Sequence, residues 1–438
     1  MFLTEQLQEK WAPVLDAAGI PSIRNAYKRS VVTKLLEAQE ADNRLQRASL
    51  MEDAPANSIG GGSDTGGIAK FDPILISLVR RSLPNLMAFD TAGVQPLSGP
   101  SGIIFAMRSL YGADRSLAGR KEALFQEANS AFSGTGTQTG TNPTAAGYSY
   151  GTGMSTAAGE ALGSTGGGSF GEMSFTIEKT TVTAVTRALK ADYSVEIAQD
   201  LKAVHGLEAE SELSNILSQE MTAEMNRELI RRMYTVAKTG AQTTTTPGVF
   251  DLDVDANGRW SVERFKGMLF QMERDANLIG QDTRRGKGNF VIASADVVSA
   301  MSMAGVLDTG LALQGGTGLQ ADDNGNTFAG MYRNMKVYVD PYSANFGAAD
   351  QYYMIGYRGD SSWDAGIFFC PYIPLQMYRA TDPNTMQPRI AFRTRYGMIS
   401  NPFVTTADTG ASANQPDGSL FTAGRNQYYR RVTVRNLL

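Results

Sequence analysis

Cysteine, histidine and charged side chains are scarce in this sequence. The 438 residues contain one cysteine and one histidine, which excludes an intrachain disulfide and leaves zinc-finger and His-rich sites without a second Cys or His ligand. Charged residues make up 19% of the chain, against about 25% in typical soluble domains. Low charge favours a protein that buries much of its surface against other subunits. The formal net charge of −4 argues against an electrostatic nucleic-acid binder, which would be basic.

Long apolar segments are missing as well. Met1 to Lys10 is polar and has no apolar signal core. No run approaches the roughly 20 apolar residues that a membrane-spanning helix requires. The sequence therefore predicts a soluble intracellular protein without a membrane partner. Its hydrophobic fraction of 42% excludes general disorder and is sufficient for a substantial core.

Motifs typical of enzymes are weak here. Ser169 lies in a G-x-S-x-G match, but a nucleophile elbow requires a buried strand before the serine and a suitably placed histidine. A glycine tract precedes Ser169, and His205 is expected at a helix end. A serine hydrolase therefore has this single match as its support. We interpret His205 and Cys370 as structural residues, and we predict no catalytic, cofactor or metal site.

A basic segment, Thr283 to Lys287, follows Gly280 without the spacing of a phosphate-binding loop. We interpret it as a solvated turn, and a contact with an acidic neighbour is the alternative.

Hydrophobic periodicity predicts a mixture of helices and strands. Residues 1–52 show two helical stretches separated by Gly19-Ile20-Pro21. The strongest helical pattern has apolar residues three to four positions apart, at Leu213, Ile216, Leu217, Met221, Met225 and Leu229. Two long strands are predicted at Gly366–Tyr378 and Gln387–Ile399, joined by a turn. The fold class expected from these patterns is α+β.

Residues 133–171 form a low-complexity tract of Gly, Ser and Thr in which Glu160 is the one charged residue. This composition lacks the apolar residues needed to fold alone. In a monomer the tract is expected to be a disordered loop. In an assembly it is expected to be an extended arm that becomes ordered on a neighbouring subunit.

The triplet Leu/Ile-x-Glu is confined to the N-terminal region. It ends at Glu5, Glu9, Glu37 and Glu52, and it does not recur in the rest of the chain. Residues beyond Glu52 are rich in Gly and Ser, a composition typical of segments that proteases cut easily.

Several runs, in order along nearly the whole chain, resemble the major capsid proteins of T-even-type tailed bacteriophages. The runs are Val79–Asp90, Gly93–Pro96, Ser194–Gly206, Asn289–Ser294, Asp364–Ile367, Arg393–Gly397 and Asn401–Phe403. Lys10-Trp11 and Pro13 also resemble the prosegment of that family. T-even relatives carry a folded insertion domain in the extension-loop region, whereas this chain has only the shorter Gly/Ser/Thr tract there.

The resemblance implies the HK97-type capsid fold. It divides the chain into an N-terminal helical prosegment, an N-arm with the start of the capsid domain, an extension loop, a peripheral domain with a long spine helix, an axial domain, a long peripheral hairpin and a C-terminal segment. The corresponding ranges are 1–52, 53–90, 91–175, 176–289, 290–349, 350–405 and 406–438.

The resemblance also implies a structural function in the virion. Hexamers of the subunit would form the icosahedral head shell in the bacterial host cytoplasm and enclose double-stranded DNA without sequence-specific binding. The implied partners are the subunit itself, a vertex protein, the portal, an inner scaffold, a prohead protease and decoration proteins. A pentameric vertex paralogue of the same family is the alternative.

Proteolytic maturation is implied too. In the resembled family the prohead protease cuts after a Glu that follows an aliphatic residue and one spacer. Leu50-Met51-Glu52 fits that pattern, so cleavage is expected between Glu52 and Asp53.

Overall fold

The computed structural model describes most of the chain. The described residues are 2–16, 23, 25–51, 86–112, 123–124, 127–140, 143–144, 147–164, 168–256, 260–305, 327–342, 350–382, 384–385, 387–401 and 423–437. Within them the helices are α1 (Phe2–Leu15), α2 (Ala26–Met51), α3 (Ala88–Thr91), α4 (Thr156–Glu160), α5 (Val195–His205), α6 (Ala209–Val236), α7 (Ser261–Thr283) and α8 (Ala295–Met303).

The strands are distributed over two sheets and a ribbon. They are β1 (Gly93–Val94), β2 (Ser101–Tyr111), β3 (Met173–Thr183), β4 (Val185–Asp192), β5 (Ala237–Thr239), β6 (Val249–Asp251), β7 (Phe290–Ser294), β8 (Thr327–Tyr332), β9 (Met335–Asp340), β10 (Asp350–Gly356), β11 (Ile367–Thr381), β12 (Pro388–Ser400) and β13 (Asn426–Arg435). The α+β prediction is confirmed.

The first sheet has the strand order β1-β11-β12-β4. Its centre is the predicted long hairpin, in which β11 and β12 pair antiparallel from Ile367↔Ser400 to Thr381↔Pro388. Strand β4 pairs antiparallel with β12, and β1 pairs parallel with β11. The chain changes partner after Thr183, so that β3 pairs with β2 whereas β4 joins this sheet.

The second sheet has the order β5-β13-β10-β7-β9-β8, with β6 also paired to β13. Alternate residues of its central strands face opposite sides, as the period of two in a strand requires. On β7, Phe290 and Ile292 belong to one hydrophobic cluster while Val291 and Ala293 belong to another. Helices α7 and α8 cover the second of these faces.

The larger hydrophobic cluster joins α1, α2, α6 and both sheets. Helix α6 crosses its centre with the buried residues Ala209, Ser214, Ser218, Met221, Thr222, Met225, Asn226, Leu229, Ile230, Met233 and Val236. The long helix predicted around Met221 is therefore confirmed. Its buried face was predicted less well, because Ile216 is 58% exposed and Leu213 and Leu217 are only partly buried.

A charged network fixes α6 to the first sheet. The Arg187 guanidinium on β4 donates to Glu224 at 2.9 Å and to Glu228 at 2.5 Å. Tyr396 donates its hydroxyl proton to Glu228 at 2.6 Å. Burial alone would raise the pKa of Glu228, but the hydrogen bonds from Tyr396 and Arg187 outweigh it and lower that pKa. Glu228 also pairs with Arg232, one turn further along. The network links three elements through one carboxylate.

Candidate assembly surfaces

The N-terminal helices are docked on the rest of the subunit. On α2, Val31, Val32, Leu35 and Leu36 are each at most 4% exposed. They belong to the same cluster as residues of α3, β1, β11 and α6, and α2 packs directly against β11. Sequence periodicity indicated the two helices and their apolar stripe. The structure shows that this stripe is part of the main core.

Polar contacts accompany the apolar docking. Tyr27 donates its hydroxyl proton to the Val94 carbonyl and accepts a hydrogen bond from the Val94 N–H at 3.2 Å. Lys28 lies 3.4 Å from the Asp90 carboxylate, and the Arg358 guanidinium lies 5.7 Å from the centre of the Tyr27 ring. Tyr27 and Lys28 were not identified from the sequence, because their partners are distant along the chain and no local pattern marks them.

Helix α1 is held to α2 by a small polar cluster. The Trp11 indole N–H donates to Glu37 at 3.1 Å, and the Lys10 ammonium donates to Glu37 at 2.7 Å and to Glu40 at 2.5 Å. Trp11 is 4% exposed. The two helices thus form one unit, here called the N-terminal unit (Phe2–Met51).

The predicted cleavage site lies at the end of this unit. Leu50 and Met51 are the last two residues of α2. Glu52 and Asp53 lie outside the described residues, as does most of the predicted N-arm. Cleavage of the Glu52–Asp53 bond therefore remains a prediction.

Strands β2 and β3 form a two-stranded ribbon, paired from Ser101↔Thr183 to Tyr111↔Met173. At its base, Ile104 and Val182 pack against Phe368, Cys370 and Ile399 on the first sheet. One face of the ribbon leaves apolar side chains more than half exposed, namely Ile103, Phe105, Met173, Phe175 and Ile177. An exposed apolar face of this kind is typical of a protein–protein contact.

The described part of the Gly/Ser/Thr tract has local structure. It is joined by two isolated β-bridges, Thr135↔Thr152 and Thr139↔Ser149. Ser155 caps α4 by accepting a hydrogen bond from the Ala158 N–H at 3.3 Å. The described tract residues are exposed or only partly buried. This arrangement differs from the disordered loop expected for a monomer.

Helix α5 carries a second exposed apolar surface. It begins with the Ser194 cap and ends at Gly206, whose φ of 69° gives the left-handed C-cap predicted from the sequence. None of the eleven residues of α5 is buried. Ile197 and Val204 are 61% and 74% exposed, and with Leu201 they follow the i, i+4, i+7 spacing of one helix face. That spacing was visible in the sequence but was not identified as a surface.

The residues examined from the sequence as possible catalytic or phosphate-binding groups lie in ordinary structural positions. Ser169 is exposed in a segment that leads into β3 rather than into a helix, so an elbow is absent there. His205 is exposed at the end of α5, and burial raises the pKa of the Cys370 thiol to about 12. In the basic turn, Arg285 lies 3.6 Å from Asp364, and Lys287 pairs with Glu273.

The described residues hold no group of three or more His, Cys, Asp or Glu side chains arranged for a metal ion. Among the helices that the structure describes, none combines the length and apolar character of a membrane span.

Comparison with known proteins shows that the chain is similar to capsid proteins of bacteriophages. A family model described as the major capsid protein Gp23 matches residues 68–434. The major capsid protein of Salmonella phage ViI is 39% identical over 457 aligned positions, covering 99% of both chains. That of Enterobacteria phage T4 is 34% identical over 523 positions, again covering 99% of both. The alignment with the T4 protein exceeds the 438 residues of this chain, so it must contain gaps in this chain.

A vertex protein and solved capsids are more distant. The capsid vertex protein of Enterobacteria phage T4 is 24% identical over 254 positions, covering 53% of this chain and 54% of that protein. The solved capsid of Myoviridae phage XM1 aligns with 80% of this chain and 92% of its own at 10% identity, with a TM-score of 0.39.

Proposed function

The chain belongs to the Gp23 family of phage major capsid proteins, and on that premise we propose that it forms the head shell as hexamers. It is a major capsid protein of the T4-like kind, a structural component of the virion. The observation that carries the hexamer proposal is the near-complete match to major capsid proteins at 34–39% identity. Family membership also supports the predicted HK97-type fold.

The vertex alternative is less well supported. The match to a vertex protein covers about half of the chain at 24% identity, whereas the matches to major capsid proteins cover 99%. Electron microscopy of purified particles tests the assignment. Density for this chain in six-fold capsomers supports it, and density confined to the five-fold vertices contradicts it.

Neighbouring copies of the chain are the proposed partners of both exposed apolar surfaces. An eleven-residue helix without buried residues is marginal in water by itself, so α5 would be stabilised by a contact that assembly provides. The exposed ribbon face would lie over a neighbour in the same way. Permanent contacts of this kind bury well over about 1,000 Å² in total.

The proposal extends to the Gly/Ser/Thr tract, which would become ordered on a neighbouring subunit, and a deletion tests this part. Deleting residues 135–168 is expected to impair shell assembly more than subunit folding, because the described part of the tract contributes nothing to the hydrophobic clusters. The measurement compares the melting temperature of the unassembled subunit with the particle yield on sedimentation. An unchanged yield of normal particles would contradict the proposed role of the tract.

Proteolytic maturation belongs to the same proposal. The N-terminal unit would contact an inner scaffold in the precursor shell, and a prohead protease would remove it by cutting after Glu52. Double-stranded DNA would then fill the shell without sequence-specific contacts, in keeping with the net charge of −4. The portal and decoration proteins would join the same particle, assembled in the bacterial host cytoplasm.

The intact mass of the subunit from DNA-filled heads tests this cleavage. We expect a mass equal to that of residues 53–438. A mass equal to the full chain would contradict cleavage after Glu52 and would leave the shell-forming role intact.

No catalytic step is part of the proposal. The relatives are structural capsid proteins, and the exposed Ser169 lies outside any elbow. The subunit would act only by binding copies of itself and the other components of the head.

A further inference from the structure

One of the upstream Leu-x-Glu triplets lies inside the docked surface of the N-terminal unit. Leu35 and Leu36 are 0% and 1% exposed in the main hydrophobic cluster. Glu37 follows them in the interior of α2, about four turns before the helix ends at Met51. The bond after Glu37 is therefore in regular helix beside two core residues.

The Glu37 carboxylate is also hydrogen-bonded within the N-terminal unit. It accepts hydrogen bonds from the Trp11 indole at 3.1 Å and from the Lys10 ammonium at 2.7 Å. A protease specific for Glu must bind that carboxylate in its own cleft, so it must first displace both donors. Trp11 is itself 4% exposed in the main hydrophobic cluster, so one of the two donors is held in place by the core.

Cleavage also requires several residues of extended backbone on each side of the bond. Unwinding α2 around Glu37 would expose Thr33 and Gln39, each 2% exposed in the docked state, together with the two leucines. The bond would then be cut only from an opened state in which α2 has left the body of the subunit. The rate of cutting would follow the population of that state.

We propose that docking of α2 makes proteolysis of the N-terminal unit sequential: the bond after Glu37 is not cut until the unit has dissociated from the rest of the subunit. The order of events rests on the proposed cleavage after Glu52, whereas the protection of Glu37 does not. The Glu52 cut removes the covalent link, the unit dissociates, and its helices lose the core that buried them. Short helices without partners are marginal in water, so the released unit becomes a substrate at Glu37.

This order has a consequence for maturation. A cut at Glu37 before release would leave residues 38–52 attached to the capsid domain and would leave the front half of α2 on its surface. Protection of Glu37 prevents that product, so α2 leaves the subunit in one piece. The apolar surface beneath it, which includes Phe89, Val94 and Leu375, is then uncovered at a single step.

Limited proteolysis of the purified, unassembled full chain tests the proposal. A general Glu-specific endoproteinase is the probe, and mass spectrometry follows the Glu37–Ala38 bond. We expect this bond to be cut at least about 100-fold more slowly in the native chain than in a synthetic peptide of residues 26–51. Equal rates in the two substrates would overturn the proposal.

A matched pair of variants separates docking from local helix stability. Leu36→Asn places an amide in the core but leaves Leu35 and Glu37 unchanged, whereas Lys34→Asn makes the same change on the exposed face of α2. Cutting at Glu37 should accelerate at least about tenfold in the first variant relative to the second. Equal acceleration in both variants would show that docking does not protect the bond.

An internal control shows whether the body stays folded in these variants. The Glu228–Leu229 bond lies in the buried part of α6, and it should remain uncut while the bond after Glu37 is cut. If the Glu228–Leu229 bond is cut too, the milder variant Leu36→Ala is used, and it should again be cut after Glu37 faster than Lys34→Asn. The intact mass of subunits from particles reports the Glu52 cut separately, so failure of maturation and failure of Glu37 protection give different results.

Discussion

Met221→Asp is expected to abolish folding of the subunit. Met221 is 0% exposed in the middle of α6, where the helix meets the N-terminal unit and both sheets. Met221 belongs to a cluster of buried apolar side chains, so the substitution places a charge among them and leaves a cavity. The expected loss is about 4 kcal/mol or more, a large share of the roughly 5–15 kcal/mol that stabilises a typical domain.

The matched control is Ile216→Asp on the same helix. Ile216 is 58% exposed, so the new carboxylate remains in water and the melting temperature should change little. Soluble yield and thermal unfolding of the two variants decide the matter. A native melting curve for Met221→Asp would mean that the core is not assembled around α6 as described.

Apolar periodicity predicted the long helix, but Leu217, which the pattern placed on the buried face, is only partly buried. In the first half of α6 the buried positions are Ala209, Ser214 and Ser218, so the apolar residues beside them lie at the edge of the buried face. Apolar periodicity alone did not identify this face, because the neighbours that cover each turn come from distant segments.

Local signals predicted the hairpin and the end of α5 well. Both depend on residues close together in sequence, namely Asp382 and Asn384 between the two strands and Gly206 after α5. The strand pairing of the second sheet was not predicted, because β13 pairs with β5, β6 and β10 from three different parts of the chain. The docking of α2 is non-local in the same sense, since Tyr27 meets Val94 and Arg358.

The candidate site was predicted only as a sequence pattern. The Leu-x-Glu triplets were found from residue identities, and the resemblance supplied their meaning. Which triplet a protease can reach depends on burial, which the sequence does not state. The structure separates them, because Glu37 is engaged within the docked unit while Glu9 is exposed on α1.

The double variant Ile197→Asp/Val204→Asp is expected to stop shell assembly while the subunit still folds. Both side chains lie on the exposed apolar face of α5, and the isolated subunit does not bury them. Two carboxylates on this face would have to be desolvated in every copy of the proposed contact. Because each shell contains many copies, we expect the yield of closed particles to fall at least about tenfold.

Gln199→Asp/Ala203→Asp is the matched control. It also places two acids on α5, at exposed positions on the opposite side of the helix, so it tests the face rather than the charge. Both variants should show the melting temperature of the unassembled wild-type subunit, and only the first should lose particles when capsids are counted by electron microscopy. Normal particle numbers from Ile197→Asp/Val204→Asp would place α5 outside the subunit contacts, because an apolar helix face buried by a neighbour cannot accept two charges without loss of assembly.

Equal loss of particles from both variants would show that acidic residues anywhere on α5 disturb assembly, so the apolar face would not be the cause. Loss restricted to the first variant would mean that this exposed helix is completed by a neighbouring copy of the chain.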